Sequence, residues 1–450
     1  MIESTSDAAT APWQLGLHAA VQALQAKQLT ATSLVESCLE RIRGTNPIVN
    51  AFVWIDEVAA LESAAAADVR RANGAPLSPF DGIPIGVKDN IDVMGMPTSN
   101  GISREAAATQ DADLIDALRR VGLVFLGKLN MHEAALGTTT ENPHFGTTVN
   151  PLSVSHSAGG SSGGSGAAVA AFMCPLTIGS DTMGSVRLPA ASCAVSGWKP
   201  SRGAISSAGM RLLDPSLDIA GPLVRSGQDM ALAMQIFGVV DDVEKSQQAL
   251  RFSYIEEFMN APNANNVMVR VKEFVASLDA NPVSIPGFAP SPVRRAVLLG
   301  IEARLAQQWD DTYRAKLSPG LRSLVEYGDS LSPQRLRAAR QLVEQSAADG
   351  LRVLRDNDVI ITPASPVPPT LIGAEMVPEQ ADFLLLANIA GAPALSIPIA
   401  LDDAGLPVSV QLMAAPGNDA RLRQALAFIA ERGLLRELKP EQLDPKLTQR

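Results

Sequence analysis

Two serines and one lysine in this chain have the residue types and surroundings of a nucleophilic catalyst. Ser161 lies in the glycine-rich run Gly159–Gly166, and Ser185 lies in a second run, Ser180–Arg187. Upstream, Lys88 follows a short apolar stretch. Glycine lets the backbone approach a ligand closely and adopt angles that other residues avoid, so each serine would be presented to a substrate. A buried lysine nearby could take a proton from a serine, and the pattern therefore predicts nucleophilic catalysis without histidine.

The first glycine-rich run is compatible with other structures when it is taken alone. It fits a flexible loop, and it also matches the Gly-x-Ser-x-Gly nucleophile elbow of α/β-hydrolases, which needs a histidine later in the chain. All four histidines precede the run: His18, His132, His144 and His156. That order excludes the α/β-hydrolase triad. A phosphate-binding P-loop is excluded as well, because no lysine ends the run.

Two further patterns carry little weight. Ser196–Lys199 matches the short Ser-x-x-Lys pattern of serine β-lactamases, but no Lys-Thr-Gly follows it in the chain. The histidines are not spaced like metal ligands on one helix face, so no metal site is expected.

Composition narrows the class of protein. With 46% hydrophobic and 19% charged residues the chain is globular, and its net charge of −10 argues against nucleic acid or an anionic membrane as a partner. Cys38, Cys174 and Cys193 form no CxxC pair, so they are expected to be buried hydrophobes rather than disulfide or zinc residues. The N-terminus has no signal-peptide pattern, and no apolar stretch is long enough to span a bilayer. We expect a cytoplasmic protein.

Helix and strand patterns alternate around the two serine loops. Helical periodicity covers residues 14–43, with Thr30 or Thr32 as N-cap and Asn46-Pro47 as the end. Further helices are predicted over Glu57–Asn73 and Asp113–Val121 and from Ala167, and strands over Ala51–Ile55, Ile83–Val87, Val124–Leu126 and Leu176–Gly179. The chemically suggestive residues therefore fall at strand ends and helix starts, where open α/β sheets keep their sites.

The middle of the chain differs from its two ends. A core is expected over about 20–235 and 355–430, and a variable helical, substrate-facing layer over about 240–355, with helices near Arg294–Lys316 and Pro333–Asn357. Strand patterns return at Asp358–Pro363, Ala394–Ala400 and Pro407–Met413. This organisation favours one domain over residues 1–450.

The three segments around Lys88, Ser161 and Ser185 together resemble the amidase signature family. The resemblance extends to other segments: Asp113–Leu118, Gly127–Glu133, Gly137–Pro143, Phe145–Pro151, Arg187–Ala190, Gly197–Gly203, Gly221–Leu223, Asn388–Pro393 and Gly405–Leu412. It implies an α/β fold in which a central twisted mixed β-sheet is covered by helices on both faces. It also implies an amide hydrolase acting on carbon–nitrogen bonds other than peptide bonds, without metal or organic cofactor.

The resemblance assigns roles to the triad. Ser185 would attack the amide carbonyl, Ser161 would relay the proton through a loop whose peptide bond is cis, and Lys88 would be the general base. Lysine ordinarily has a pKa near 10.4, so burial must lower the pKa of Lys88 by a few units. The alternative is a Lys88 cation that pairs with Asp89 or Asp181.

The resemblance also predicts the oxyanion hole and the substrate cleft. The backbone N–H groups of Thr182, Met183, Gly184 and Ser185 would hold the oxyanion. Met183 departs from the family's commonest pattern, which has glycine there. Asp181 and Arg187 would clamp the loop. Substrate contacts are expected at six positions: Ala135, Leu136, Gly137, Thr182, Met183 and Gly184.

Three functions remain open. The first is a freestanding hydrolase of a small carboxamide, carbamoyl or urea-type substrate. Its expected partner is that small molecule, with neither nucleic acid nor membrane, and a homodimer is compatible with this function. The second is the glutaminase component of a tRNA-dependent amidotransferase, its A subunit. Against this second function, Ala381 stands where that component carries an acidic residue. The third is a catalytically silent binding protein.

Ser153 and His156 also depart from the family, in which Asp and Arg commonly form an ion pair at these two positions.

Overall fold

An eleven-stranded mixed sheet runs through the computed structural model, which describes residues 11–239, 249–259, 265–375 and 377–448. Its strands are β1 Phe52–Ile55, β2 Pro84–Lys88, β3 Val124–Leu129, β8 Leu176–Asp181, β9 Ser196–Lys199, β10 Ile219–Val224, β11 Phe252–Ile255, β12 Asn281–Val283, β13 Val359–Pro363, β14 Ala394–Leu401 and β15 Pro407–Met413. Two small hairpins precede the first serine: β4 Glu141–Asn142 with β5 Gly146–Thr147, and β6 Val149–Asn150 with β7 Ser153–Ser157.

The strand order is β1-β3-β2-β8-β10-β9-β14-β15-β13-β11-β12. β2 lies parallel to β3 and to β8, whereas β10, β9, β14, β15 and β13 follow one another antiparallel. Because β2 and β8 are parallel neighbours, their carboxyl ends meet at one edge of the sheet. That edge carries Lys88 at the end of β2 and the second serine loop after β8.

Helices cover both faces of the sheet. They are Leu17–Gln25, Ala31–Val49, Glu57–Ala72, Asp113–Arg120, Gly163–Ala170, Arg187–Ser192, Gly227–Ile236, Glu256–Met259, Asn265–Ser277, Pro290–Gln308, Asp311–Arg314, Pro319–Asp329, Pro333–Asp356, Leu385–Ile389, Asp419–Glu431 and Pro445–Thr448. Successive side chains of a strand point to opposite faces. Val359 and Ile361 pack in one hydrophobic cluster and Ile360 packs in another, so both faces are buried. The predicted fold class is confirmed.

The first predicted helix is wrong in two respects. Residues 14–43 form two helices, and the second one, Ala31–Val49, continues past Asn46-Pro47. Thr30 is its N-cap, as expected, and accepts a hydrogen bond from the Ser33 N–H. Pro47 lies in the last turn, where it removes one i→i−4 hydrogen bond without ending the helix, and Asn50 ends the helix with a φ of 53°.

Two elements beside the site are longer than predicted. β3 extends to Leu129, beyond the predicted end, because the charged Lys128 interrupts the apolar run by which a buried strand is recognised. In the structure the Lys128 ammonium is buried and donates to the Ile91 carbonyl at 2.8 Å. The helix after the first serine begins at Gly163 rather than Ala167. A side chain at Gly164 would place its Cβ 2.4 Å from the Asn130 carbonyl oxygen, so glycine there permits close packing of the helix on the sheet.

The helical layer lies over the carboxyl edge of the sheet. The stretch Arg294–Lys316 divides into Pro290–Gln308 and Asp311–Arg314, because Asp310 caps a new helix by accepting from the Tyr313 N–H at 2.8 Å. The helix predicted near Pro333–Asn357 is Pro333–Asp356. Parts of the predicted layer, at 240–248 and 260–264, lie outside the described residues.

All three cysteines are buried and unpaired, as expected. In the part of the chain that the structure describes, no helix is both long and apolar enough to cross a membrane.

Candidate active site

Lys88 is completely buried at the carboxyl end of β2 and bonded to serines rather than to acids. Its Nζ lies 2.8 Å from Ser161 Oγ and 2.8 Å from Ser180 Oγ. Asn90 Nδ2 donates to the same Ser180 oxygen at 3.0 Å. Burial lowers the pKa of Lys88 to about 7, against the attraction of Asp218 and Asp181, which favours the charged form. At neutral pH both the charged and the neutral form of this lysine are therefore populated.

Neither acid that could hold Lys88 as a cation is bonded to it. Asp89 lies 3.5 Å from the Lys128 ammonium, and Asp181 forms a fully buried ion pair with Arg187 at 2.8 Å. Among the described residues, no carboxylate forms an ion pair with Lys88. The geometry therefore favours the general-base interpretation over the paired cation.

Ser161 is held in place by its backbone. The Gly160–Ser161 peptide bond is cis, as the resemblance implied, and Ser161 is completely buried. Its carbonyl accepts from the His132 N–H at 3.0 Å. Thr140 Oγ1 donates to the Gly159 carbonyl at 2.8 Å. These bonds leave the Ser161 hydroxyl directed at Lys88.

The second loop is fixed by the Asp181–Arg187 pair. Asp181 accepts from the Gly184 N–H at 2.7 Å and from the Val186 N–H at 3.1 Å, and Asn388 Nδ2 donates to it at 2.9 Å. Burial pulls the pKa of Asp181 upward, but the Arg187 charge and the side-chain hydrogen bonds from Arg187 and Asn388 outweigh it and hold the pKa well below its usual range. Asp181 and Arg187 thus hold the second loop in place, as predicted for these two residues.

The two serine loops touch through their backbones. The Ser162 N–H donates to the Ser185 carbonyl at 3.2 Å. Unlike Ser161 and Lys88, Ser185 is partly exposed, and it lines a cavity. The order from interior to cavity is therefore lysine, first serine, second serine.

The second serine loop directs backbone N–H groups to the surroundings of Ser185. The Gly184 N–H is bonded to Asp181, which differs from the predicted set of four donors. Within the described part of the chain, the N–H groups of Thr182, Met183 and Ser185 have no acceptor. Met183 does not have a positive φ, whereas Gly184 has a φ of 119°. The loop conformation consequently accepts a side chain at Met183 but needs glycine at Gly184.

A mainly apolar cavity of about 220 Å³ opens in front of Ser185. All six predicted substrate positions line it: Ala135, Leu136, Gly137, Thr182, Met183 and Gly184. Ala381, expected at the glutamine position of the amidotransferase component, lines it too. The structure thus brings every predicted cleft residue together around one serine.

Sequence reasoning missed several residues at this site. Ser180 and Asp218 influence Lys88, and the cavity wall includes Arg294, Arg295 and Glu302 from the helix Pro290–Gln308. Ser180 stands in the quoted second run, so its position at a strand end was a usable signal. The helix residues gave none, because periodicity does not say which face of a helix meets a site.

One contact ties the cleft loop to the overlying helical layer, and a second hydrogen bond stands at the position where the sequence departs from the family. Glu133 accepts from the Ser318 N–H at 2.8 Å, and Ser318 caps the helix Pro319–Asp329 of the overlying layer. Further away, Ser153 Oγ lies 2.8 Å from His156 Nδ1, so a hydrogen bond stands where the family commonly has an ion pair.

This chain belongs to the amidase signature family, because residues 33–422 match the family model described as Amidase. It is similar to the A subunit of the glutamyl-tRNA(Gln) amidotransferase of Chloroflexus aggregans, with 34% identity over 91% of this chain and 94% of the relative.

Two solved structures extend the comparison. One, reported as "An unexpected vestigial protein complex reveals the evolutionary origins of an s-triazine catabolic enzyme", is 30% identical with a TM-score of 0.88 and covers 94% of this chain and 100% of its own. The other is the A subunit of the glutamyl-tRNA(Gln) amidotransferase of Thermotoga maritima, 26% identical with a TM-score of 0.78, covering 95% and 98%.

Proposed function

We propose that this protein hydrolyses the C–N bond of a small carboxamide, carbamoyl or urea-type substrate through an acyl-enzyme on Ser185. The observation that carries the proposal is the buried Lys88 Nζ at 2.8 Å from Ser161 Oγ, behind a serine that faces the cavity. A lysine whose pKa is about 7 is a competent base at neutral pH. Membership of an amidase family supports the same reaction.

The proton route follows the order of the side chains. Ser185 Oγ attacks the amide carbon and gives its proton to Ser161, whose own proton passes to neutral Lys88. When the tetrahedral intermediate collapses, the C–N bond breaks and the proton returns through Ser161 to the leaving nitrogen. Water then attacks the acyl-enzyme by the same route, which releases the carboxylic acid and restores Ser185.

Three backbone donors would hold the developing oxyanion. The N–H groups of Thr182, Met183 and Ser185 have no acceptor in the described segments of the chain, and the Asp181–Arg187 clamp fixes the loop that carries them. Donors that are already oriented need no reorganisation during the reaction, which is why losing one costs about 10²–10³ in rate.

Glutamine hydrolysis inside a tRNA-dependent amidotransferase is the second candidate function. The names of the relatives in Chloroflexus aggregans and Thermotoga maritima favour it. Ala381 stands against it, because it presents no charge to a substrate ammonium, and the neighbouring Asp382 pairs with Arg294 at 2.9 Å instead. The similarity to a structure reported in connection with an s-triazine catabolic enzyme is compatible with a small-molecule substrate.

A hydrolysis panel separates the two candidates. Purified protein is offered L-glutamine, aliphatic and aryl amides and ureido amides, with Ser185→Ala as the inactive control. The proposal expects ammonia or amine release from non-amino-acid amides by the chain alone. Glutaminase activity that appears only when the other amidotransferase components are added would replace the first candidate with the second. Near-normal turnover by Ser185→Ala would refute both.

A further inference from the structure

The cavity lining includes a carboxylate that the proposed mechanism does not use. Glu302 lies on the helix Pro290–Gln308, lines the cavity and is only 2% exposed. Its Oε1 accepts from Arg295 Nη1 at 2.6 Å. Its Oε2 has no hydrogen-bond partner among the described residues. A buried acceptor without a donor is unfavourable and rare in native proteins, so we expect a bound ligand to donate a hydrogen bond to this oxygen.

The position of Glu302 on the helix directs it to the cavity. Arg295, Leu298 and Glu302 are spaced three and four residues apart, so they share one helix face, and all three line the cavity. Arg295 also lies over the Tyr327 ring, with its guanidinium carbon 5.3 Å from the ring centre. The arginine, although partly exposed, is thereby held beside the carboxylate.

The charge of Glu302 is already balanced. Because Arg295 neutralises the carboxylate through Oε1, a neutral N–H donor can satisfy Oε2 without adding an uncompensated charge to an apolar cavity. A second unpartnered polar atom, Thr138 Oγ1, belongs to the same lining. A purely hydrocarbon substrate would leave both atoms without hydrogen bonds.

We propose that Glu302 Oε2 accepts a hydrogen bond from a second N–H group of the substrate, remote from the amide that is cleaved. The substrate class is then a diamide or ureido amide with a neutral N–H at its far end. This inference rests on the proposed function and adds to it the residue that determines specificity. Glu302 is a binding residue in this account and takes no part in the proton transfers.

Matched substrates test the inference. The diamides of propane-, butane- and pentanedioic acid are compared with keto-amides in which a methyl group replaces the distal NH2. The wild type is expected to prefer a diamide over its keto-amide in kcat/KM by about tenfold or more, the usual value of a hydrogen bond to a charged acceptor. Glu302→Gln is expected to abolish most of that preference.

The control variant is Asp329→Asn, which also converts an arginine-paired acid of the helical layer into an amide. Asp329 pairs with Arg314 at 2.6 Å, is half exposed and does not line the cavity. It should keep both the activity and the diamide preference. Equal loss of diamide and keto-amide hydrolysis in Glu302→Gln would show a structural role and overturn the inference, as would an unchanged preference.

Binding to Ser185→Ala, measured by calorimetry, gives a readout independent of turnover. The best diamide should bind this variant more tightly than its keto-amide, and the added change Glu302→Gln should remove the difference. If no diamide binds, the inference is wrong. If L-glutamine is preferred and that preference depends on Glu302, the donor is an ammonium and the inferred neutral N–H is wrong. Absence of amide hydrolysis with intact diamide binding would instead refute the proposed function.

Discussion

The pH dependence of amide hydrolysis should report the protonation of Lys88. Burial lowers its pKa to about 7, so the neutral form is about half of the enzyme at pH 7, about a tenth at pH 6 and about a hundredth at pH 5. If neutral Lys88 is the base, kcat/KM rises with pH through this range and levels off above pH 8. A lysine with its ordinary pKa would place the midpoint three units higher.

Asp218 modifies this profile in a defined direction. Its charge raises the pKa of Lys88, and burial raises the pKa of Asp218 itself to about 7. The two groups therefore titrate together, and because each charge favours the other, the acid limb is broader than that of one group. Asp218→Asn removes the negative charge. The midpoint should move to lower pH, and the limb should steepen toward a single titration.

The assay is ammonia release at substrate concentrations far below KM, from pH 5 to 9 at constant ionic strength, with a substrate that does not titrate. Asp116→Asn, which changes a half-exposed acid on the helix Asp113–Arg120, is the control and should leave the midpoint in place. A flat profile with chemistry rate-limiting would contradict the role of Lys88. A midpoint that moves to higher pH in Asp218→Asn would refute the electrostatic reasoning.

Three further substitutions test the second loop. Asp181→Asn should lower the free energy of unfolding by about 3–5 kcal/mol in urea titration, because it leaves buried Arg187 without its counter-ion; an unchanged midpoint would count against the clamp. Gly184→Ala should reduce kcat by roughly 10² or more, since φ is 119° and the new Cβ would lie 2.4 Å from Leu384 Cδ1; full activity would show that the loop relaxes. Met183→Gly should raise kcat/KM for bulkier acyl groups by enlarging the cavity, and an unchanged acyl preference in the amide panel would exclude Met183 from the acyl pocket.

The alternation of helices and strands could be predicted where apolar periodicity was strong. Elements such as Glu57–Ala72, Asp113–Arg120 and Pro407–Met413 agree with the patterns within one or two residues. The errors lie where local rules met tertiary packing. Pro47 lies inside a helix although proline usually ends one. A glycine run starts another helix, because the close approach to Asn130 at Gly164 outweighs helix propensity there.

The site likewise contains residues that the sequence could indicate and residues that it could not. Lys88, Ser161 and Ser185 lie in glycine-rich or strand-end segments with distinct motifs, so the sequence could predict that they form one site. The hydrogen bond from the Gly184 N–H to Asp181 could not be predicted, because it depends on the conformation of one loop. Glu302 was not accessible either, since it comes from a helix over a hundred residues away whose register over the cavity is set by packing.

Labelling with a fluorophosphonate is the most direct test of Ser185 as the nucleophile. The hydroxyl oxygen displaces fluoride and forms a stable phosphonyl ester, which intact-protein mass spectrometry and peptide mapping locate. The account predicts one adduct, on Ser185, absent from Ser185→Ala and formed much more slowly in Lys88→Ala. An adduct on Ser161, or no adduct on folded wild-type protein, would contradict it.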